Sequence, residues 1–356
     1  MKVFFIHTLN AGTAWYRING YAEHMSQIDG VEVRMNTYDP TNQIGAWWEP
    51  QLVNLPMLDQ FLYQFETWGP DIVVMQKFMS PEGFAFHETC KEFWPVLTEV
   101  DDDFINVPCW NPAFSPQANA HYMAAMQLES THALICSTPY LLDLFSKMYD
   151  KRGHVIPNGI DVEYWDNLPN PAKHSGINIG WVGAASHRED LKILVDVIPE
   201  VNKRYSDIQW LFMSGGGIPD EIVEHPNVRF IREWWPANEY ARAVKLKGFD
   251  IGLAPLLDHP FNKAKSNLRW LEYSAMGIPT VASEIGHFNE TIRHTETGFV
   301  CSNTEEWIEH ISQLVERECS RKDIGKAAKE DISKNWNLKD ISKRYADILS
   351  QEVKAK

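Results

Sequence analysis

Short apolar runs alternate with stretches of helical period along most of this 356-residue chain, and the alternation runs through twice. In the first half, KVFFIH is followed by a polar loop and by WYRINGYAEHM, whose apolar positions recur at helical spacing. Further strands are expected at VEVRMN, DIVVMQ, PVLTEV and HALICS, with helical stretches between several of them. The pattern restarts with INIGWVG and continues through a helix at LKILVDVIPEVNKRY, strands at IQWLFMSG, NVRFIRE and DIGLAPL, a helix containing Glu272, and a strand at PTVAS. Alternation of this kind dictates parallel sheets covered by helices, because successive parallel strands need a crossover and the crossover covers the sheet face. The expectation is therefore α/β, with two Rossmann-like domains.

The polar stretch DNLPNPAKHSG separates the two halves and sets the expected boundaries. They are an N-terminal domain over 1–165, a second domain over 166–335, and a closing helix over 336–356. A chain of this length exceeds what one core usually supports. Two regions, 40–65 and 104–120, are rich in Trp, Asn, Pro and Gln without a clean period and read as long loops.

Charge excludes several function classes. The chain carries a formal net charge of −15, and residues 1–165 hold 8 Lys and Arg against 20 Asp and Glu, compared with 25 against 28 over 166–356. A first half so acidic lacks the basic footprint that nucleic acid or anionic lipid requires, so an anionic ligand belongs on the second half. No apolar run is long enough to span a bilayer, and MKVFFIHTLNAG turns polar too soon for a secretory leader. Five cysteines without a Cys-x-x-Cys pair fit reduced thiols. A soluble, cytoplasmic protein with at most peripheral membrane contact is expected.

The segment SNLRWLEYSAMGIPTVAS, residues 266–283, places one carboxylate, Glu272, on a helix that ends at a Gly-Ile-Pro turn. In a doubly wound domain such a helix points its N-terminus at the ligand crevice. Lys263 and Lys265 precede it. Two ammonium groups beside unpaired helix N–H donors suit a phosphate, and a carboxylate about two turns into the helix suits sugar hydroxyls. Together they suit a nucleotide sugar, against the plainer reading of an amphipathic helix with solvated lysines.

In the first half, Gly12 and Thr13 end the first strand, and Arg17 follows a turn later, as an anion or hydroxyl clamp or as a surface arginine beside a tight turn. Asp101, Asp102 and Asp103 follow PVLTEV, so at least one carboxylate projects at a strand's carboxyl end. They read as ligands for acceptor or sugar hydroxyls, or as a capping run, and an Asp-x-Asp could otherwise hold a divalent cation. His187 lies in a small-residue loop before a helix, where a phosphate docks. His7 and the remaining histidines read mainly as structural. The chain has 14 Trp; exposed ones such as Trp47 and Trp48 could seat a carbohydrate by stacking.

The order of several motifs resembles the GT-B glycosyltransferases, and within them the retaining family-4 group. These are Ile156-Pro157-Asn158-Gly159-Ile160-Asp161 with THALICSTPYLLDLF before it, Gly180-Trp181-Val182-Gly183, LEYSAMGIPTVAS, HTETGFVC and WNLKDISKRYADIL. The resemblance covers most of the chain. It implies two Rossmann-like domains facing each other across a cleft, with the closing helix returning to the first. It also implies transfer of a sugar from a nucleoside diphosphate sugar to a hydroxyl acceptor, a glycan, protein or small molecule, with retention, without a metal, and without a cofactor beyond the donor itself.

By the same resemblance Glu272 matches the second member of the family's Glu-x7-Glu pair, which grips the ribose. The first member is replaced by Ala264, and the Arg that usually follows the first strand of the second domain is missing from Gly183-Ala184-Ala185-Ser186-His187-Arg188. The donor site is accordingly expected to use Gly183, Ser186 and Arg188 on one side and Lys265, Ser266 and Asn267 on the other. Glu272, Gly286 and Glu290 complete it in the second domain, and Gly12, Thr13 and Arg17 contribute from the first. Asp101, Asp102, His187 and Lys265 are the expected catalytic groups. An inverting transferase, in which Asp101 or His7 serves as base, a sugar-nucleotide epimerase, and an inactive binding subunit are the alternatives.

Overall fold

The computed structural model describes residues 1–7, 12–35, 67–79, 81–112, 114, 118–233 and 235–355. It resolves into two compact units, one of Met1–Ile105, Ser115–Asn158 and Leu338–Lys356, the other of Asn106–Phe114 and Gly159–Asn337.

The first unit is built on a six-stranded parallel sheet in the order β2-β1-β3-β4-β5-β6. Its strands are β1 (Lys2–Ile6), β2 (Glu32–Met35), β3 (Ile72–Gln76), β4 (Val96–Val100), β5 (Ala133–Cys136) and β6 (Gly153–Val155). The central runs IVVMQ, VLTEV and ALIC are buried at every position, as expected of parallel strands covered on both faces. At the edge, β2 alternates between exposed and half-buried residues. The three-residue β6 lies outside the strands expected in the first half. Its brevity leaves no periodicity to detect.

A closing helix, Leu338–Lys354, completes this unit's core. Leu338, Ile341, Tyr345 and Leu349 recur on one face and pack with Val3, Phe5, Ile72 and Val74. The Tyr345 ring stands edge-on to Phe5 at 6.0 Å and to Tyr21 at 5.5 Å.

The second unit repeats the design with the order β12-β11-β10-β7-β8-β9, again all parallel. Its strands are β7 (Ile177–Val182), β8 (Ile208–Ser214), β9 (Val228–Arg232), β10 (Ile251–Ala254), β11 (Thr280–Ser283) and β12 (Phe299–Cys301). On one face Ile179, Trp181, Trp210, Phe212 and Leu253 pack against Leu194, Val197, Ile198 and Val201 of helix Ile193–Arg204. On the other, Gly180 of β7 lies directly beside Gly252 of β10. A Cβ on Gly180 would enter the Phe249 ring and one on Gly252 the Tyr273 ring. The paired glycines thus let two aromatic rings lie directly on the sheet, and Tyr273 belongs to helix Leu268–Ala275.

The units part at Asn158/Gly159 rather than at 165/166. Asp161 caps helix Val162–Asn167 through Tyr164 N, and Lys245 Nζ donates to the carbonyls of Trp165 and Leu168, both at 2.9 Å, which ties this helix into the second unit. Residues 106–114 also join the second unit, where the Trp110 ring meets His259 at 5.4 Å.

Candidate functional site

In each sheet the strand order reverses once, between β1 and β3 in the first unit and between β7 and β10 in the second. Ligands of open α/β sheets bind beyond the carboxyl ends of the strands at this reversal, because the loops there diverge and leave a crevice. In the second unit the loops concerned begin at Gly183 and Pro255.

Two buried hydrogen-bond systems meet around this point. In the first, the Asp190 carboxylate is 2% exposed. Its Oδ1 accepts from Leu257 N at 2.9 Å and from Asn262 Nδ2 at 2.7 Å, and its Oδ2 faces His187 Nδ1 at 2.9 Å. One carboxylate therefore ties the loop after β7 to the loop after β10 and orients the His187 ring. Burial, foremost, pushes the His187 imidazole below its ordinary value, opposed by Asp190 and assisted by the positive charges of Lys265 and Arg269.

In the second, Glu272 is buried on helix Leu268–Ala275. Its Oε2 accepts from Arg269 Nη1 at 2.9 Å and from the Tyr240 hydroxyl at 3.1 Å, and Arg269 Nη1 also reaches the Tyr240 oxygen at 2.6 Å. Burial, foremost, holds Tyr240 well above the usual phenol range, opposed by Arg269 and assisted by Glu272 and Tyr273. Glu272 is the fifth residue of the helix, so it lies just over one turn in rather than two. A separate short helix, Pro260–Lys263, intervenes before it.

The residues leading into the Glu272 helix are mixed in character. Lys263 pairs with Asp258 at 2.7 Å on the surface, and Lys265 Nζ sits 4.4 Å from the Phe261 ring centroid. Ser266 is half-buried. Asn267, at the helix N-cap position, is completely buried, and among the described residues neither polar atom of its side chain has a hydrogen-bond partner. An amide in that state costs about 1–3 kcal/mol until a partner is supplied.

The remaining expected donor residues fall into two groups. Ser186 lies in the turn Ala185–His187, and Gly183 is required because a Cβ there would run into the Trp181 ring. Arg188 Nη1 donates to Ile218 O at 3.1 Å. Gly286 has φ +53° and approaches the lysine loop so closely that a Cβ would lie 2.7 Å from Lys263 O. Glu290 is exposed and faces His287 Nδ1 at 2.9 Å one turn away, a local pair within its own helix.

At the reversal point of the first unit, Asp101 accepts from Lys77 Nζ at 2.8 Å. Burial works against its charge, but Lys77, Arg17 and a hydrogen bond from Thr13 hold its carboxyl below the usual range. Arg17 is neither an open clamp nor a surface residue. It is 2% exposed, donates from Nε to Glu99 Oε1 at 2.6 Å and from Nη1 to Asn158 Oδ1 at 3.0 Å, and so forms a buried ion pair. Gly12 begins a short helix, where a Cβ would meet nothing within 4 Å. Asp102 is half-buried beside Asp101, and Asp103 Oδ1 accepts from Ile105 N at 3.0 Å. Trp47, Trp48 and the rest of 40–65 lie outside the described residues.

Asp190, Arg269, Tyr240, Lys77 and Glu99 escaped the sequence reading. Asp190 and Arg269 each lie three residues from their partner, a spacing that brings side chains together on one turn and that a search for i, i+3 pairs would have found. Tyr240 and Glu99 carry no local signal, since Tyr240 is 32 residues from Glu272 and Glu99 is 82 from Arg17.

Residues 176–317 match the family model described as Glycosyl transferases group 1. That match lies within the second unit. Solved structures agree at the level of the fold. A sucrose-phosphate synthase from Thermosynechococcus elongatus superposes with a TM-score of 0.70 at 15% identity, covering 100% of both chains. A glycosyltransferase from Rickettsia africae gives 0.68 at 14%, covering 100% of this chain and 99% of that one. HepE from Anabaena, in complex with UDP-glucose, gives 0.66 at 15%, covering 99% and 100%. The fold is GT-B, as the motif order implied. No curated protein matches the sequence significantly. Among the described residues of this GT-B chain, no helix is long and apolar enough to cross a membrane.

Proposed function

We propose that the protein is a retaining glycosyltransferase that moves a sugar from a nucleoside diphosphate sugar to a hydroxyl acceptor, with the donor held by the second unit. The observation that carries this reading is the buried Glu272 carboxylate, fixed by Arg269 and Tyr240 on a helix whose N-cap Asn267 has a buried amide that finds no partner among the described residues. A fixed carboxylate suits a ribose diol. The helix N-terminus, Lys265 and Ser266 suit a diphosphate, and the amide of Asn267 offers both a donor and an acceptor. The family match over 176–317 and the fold likeness to an enzyme solved with UDP-glucose support the same assignment.

In this reading catalysis is mainly electrostatic. As the bond from the sugar to the diphosphate breaks, negative charge grows on the leaving oxygen, and Lys265 with the helix N–H groups stabilises it without reorganising. Protein cations carry that charge, so the reading requires no metal. Excess EDTA should leave transfer intact, and loss of transfer that Mg²⁺ or Mn²⁺ restores would reverse this point.

Retention is favoured by the state of Asp101. A general base working near neutral pH needs a carboxyl raised toward 7, whereas Lys77 at 2.8 Å helps hold Asp101 low. Proton NMR of the first-formed product settles the anomer, and inversion would return Asp101 to the role of base. The acidic first half favours a neutral acceptor, and five free thiols fit a cytoplasmic location.

The direct test is a thermal-shift panel of UDP-, GDP-, ADP-, CMP- and TDP-linked sugars with Glu272→Gln as control. Stabilisation by one nucleotide that is lost in the variant supports the donor site. No stabilisation by any of them would favour an inactive binding protein.

A further inference from the structure

We infer that His187, oriented by Asp190, is the diphosphate ligand that stands in place of a permanently charged side chain, and that it takes up one proton from solvent when a nucleoside diphosphate binds. The inference rests on the donor-site reading above and specifies how that site depends on pH.

The geometry is that of an orienting carboxylate behind an imidazole. Asp190 is buried, receives two further hydrogen bonds from Leu257 N and Asn262 Nδ2, and faces His187 Nδ1 at 2.9 Å. With its proton on Nδ1 and donated to Asp190, the neutral ring presents Nε2 as an acceptor. A phosphoryl oxygen is also an acceptor, so the two repel until Nε2 is protonated. Protonation turns the contact into a charge-assisted hydrogen bond, and Asp190 stabilises the imidazolium.

The charged groups acting on this ring come from each element around it. Asp190 belongs to its own turn, Lys265 to the loop before helix Leu268–Ala275 and Arg269 to that helix, while the Trp181 ring packs edge-on at 6.2 Å. Burial is the largest influence and disfavours the imidazolium, the two cations add to it, and Asp190 opposes them. The resting ring is neutral at pH 7. A diphosphate brought up to Lys265 and Arg269 cancels their repulsion and adds attraction of its own, so the affinity of Nε2 for a proton rises on binding. The proton comes from water or buffer, whose bond to it breaks as the Nε2–H bond forms, and the Nδ1 proton stays on the ring, donated to Asp190.

The test is isothermal titration calorimetry of the full chain with UDP and with GDP at pH 7.5, in buffers of different ionisation enthalpy. The expected result is a heat that varies with buffer in proportion to proton uptake, approaching one proton per site. Affinity should fall as pH rises, by up to about tenfold per unit once the resting and bound states differ by one proton. In His187→Gln, checked for native fold by circular dichroism, binding should weaken and the buffer dependence should vanish. Asp190→Asn also disturbs Leu257 and Asn262, so the His187 variant carries the decision. Heats independent of buffer in the wild type, or unchanged proton uptake in His187→Gln, would overturn the inference while leaving the donor site standing. Failure of both nucleotides and of every sugar nucleotide to bind would overturn the donor-site reading and this inference with it.

Discussion

Glu272 and Arg269 show how much a single carboxylate does in a buried site. Arg269 Nη1 is shared between Glu272 Oε2 and the Tyr240 hydroxyl, so truncating Glu272 strands a cation and a phenol together. Glu272→Ala should therefore destabilise the protein by about 2–4 kcal/mol, somewhat discounted because Arg269 retains access to water. Glu272→Gln should cost less while still losing donor binding, and urea unfolding beside the nucleotide panel separates the two effects. The same logic applies to Arg17. Arg17→Ala leaves Glu99 buried without its cation and should cost about 3–5 kcal/mol in urea unfolding, a loss that a surface arginine would not show. The sequence revealed residue types and local spacing, so Glu272, Lys265 and His187 stood out. It did not reveal that Arg17 is internal, because the ion pair that makes burial tolerable joins positions 82 residues apart.

At the scale of elements, the closeness of helix Leu268–Ala275 to its sheet depends on Gly252, which leaves room for the Tyr273 ring. Gly252→Ala would push on the Tyr273 ring, and Tyr273 follows Glu272 directly. The expected outcome is a loss of about 1–3 kcal/mol together with a smaller donor-induced rise in melting temperature, because the displaced helix carries the carboxylate with it. A thermal-shift comparison with and without UDP reads both. In the first unit, helix Leu338–Lys354 is clipped to β6 by Glu352, which bonds Arg152 and faces His154 Nε2 at 2.7 Å. Burial opposes the charge on Glu352, but those partners hold its carboxyl below the ordinary value. Its stabilisation is therefore present above the ordinary carboxylate range and is lost as pH falls through the depressed value. Since Arg152 is half exposed, the loss should amount to about 1 kcal/mol or less, and Glu352→Gln should abolish that part of the acid transition followed by circular dichroism. Strand-helix alternation was readable because apolar runs and helical period are local properties. The three-residue β6, and the break of the tail into helices Glu318–Asn335 and Leu338–Lys354, depend on what each packs against.

For the molecule as a whole, the order of motifs was more legible than the site. Two rounds of alternation fix two parallel sheets, and the reversal of strand order then fixes where the loops diverge, whatever those loops contain. The unit boundary was less legible. Helix Val162–Asn167 follows a strand-like segment, and its carbonyls are claimed by Lys245 some 80 residues later. Deleting residues 338–356 should expose the first unit's core, with early tryptic cleavage confined to that unit and the second remaining resistant. Uniform loss of both would argue against this division.

The first unit is closed by residues from the far end of the chain. During synthesis its sheet emerges well before Leu338, Ile341, Tyr345 and Leu349, which complete its core. The second unit, whose segments are complete by Asn337, is finished earlier. The first unit's sheet thus waits with apolar surface uncovered while the whole of the second unit is made.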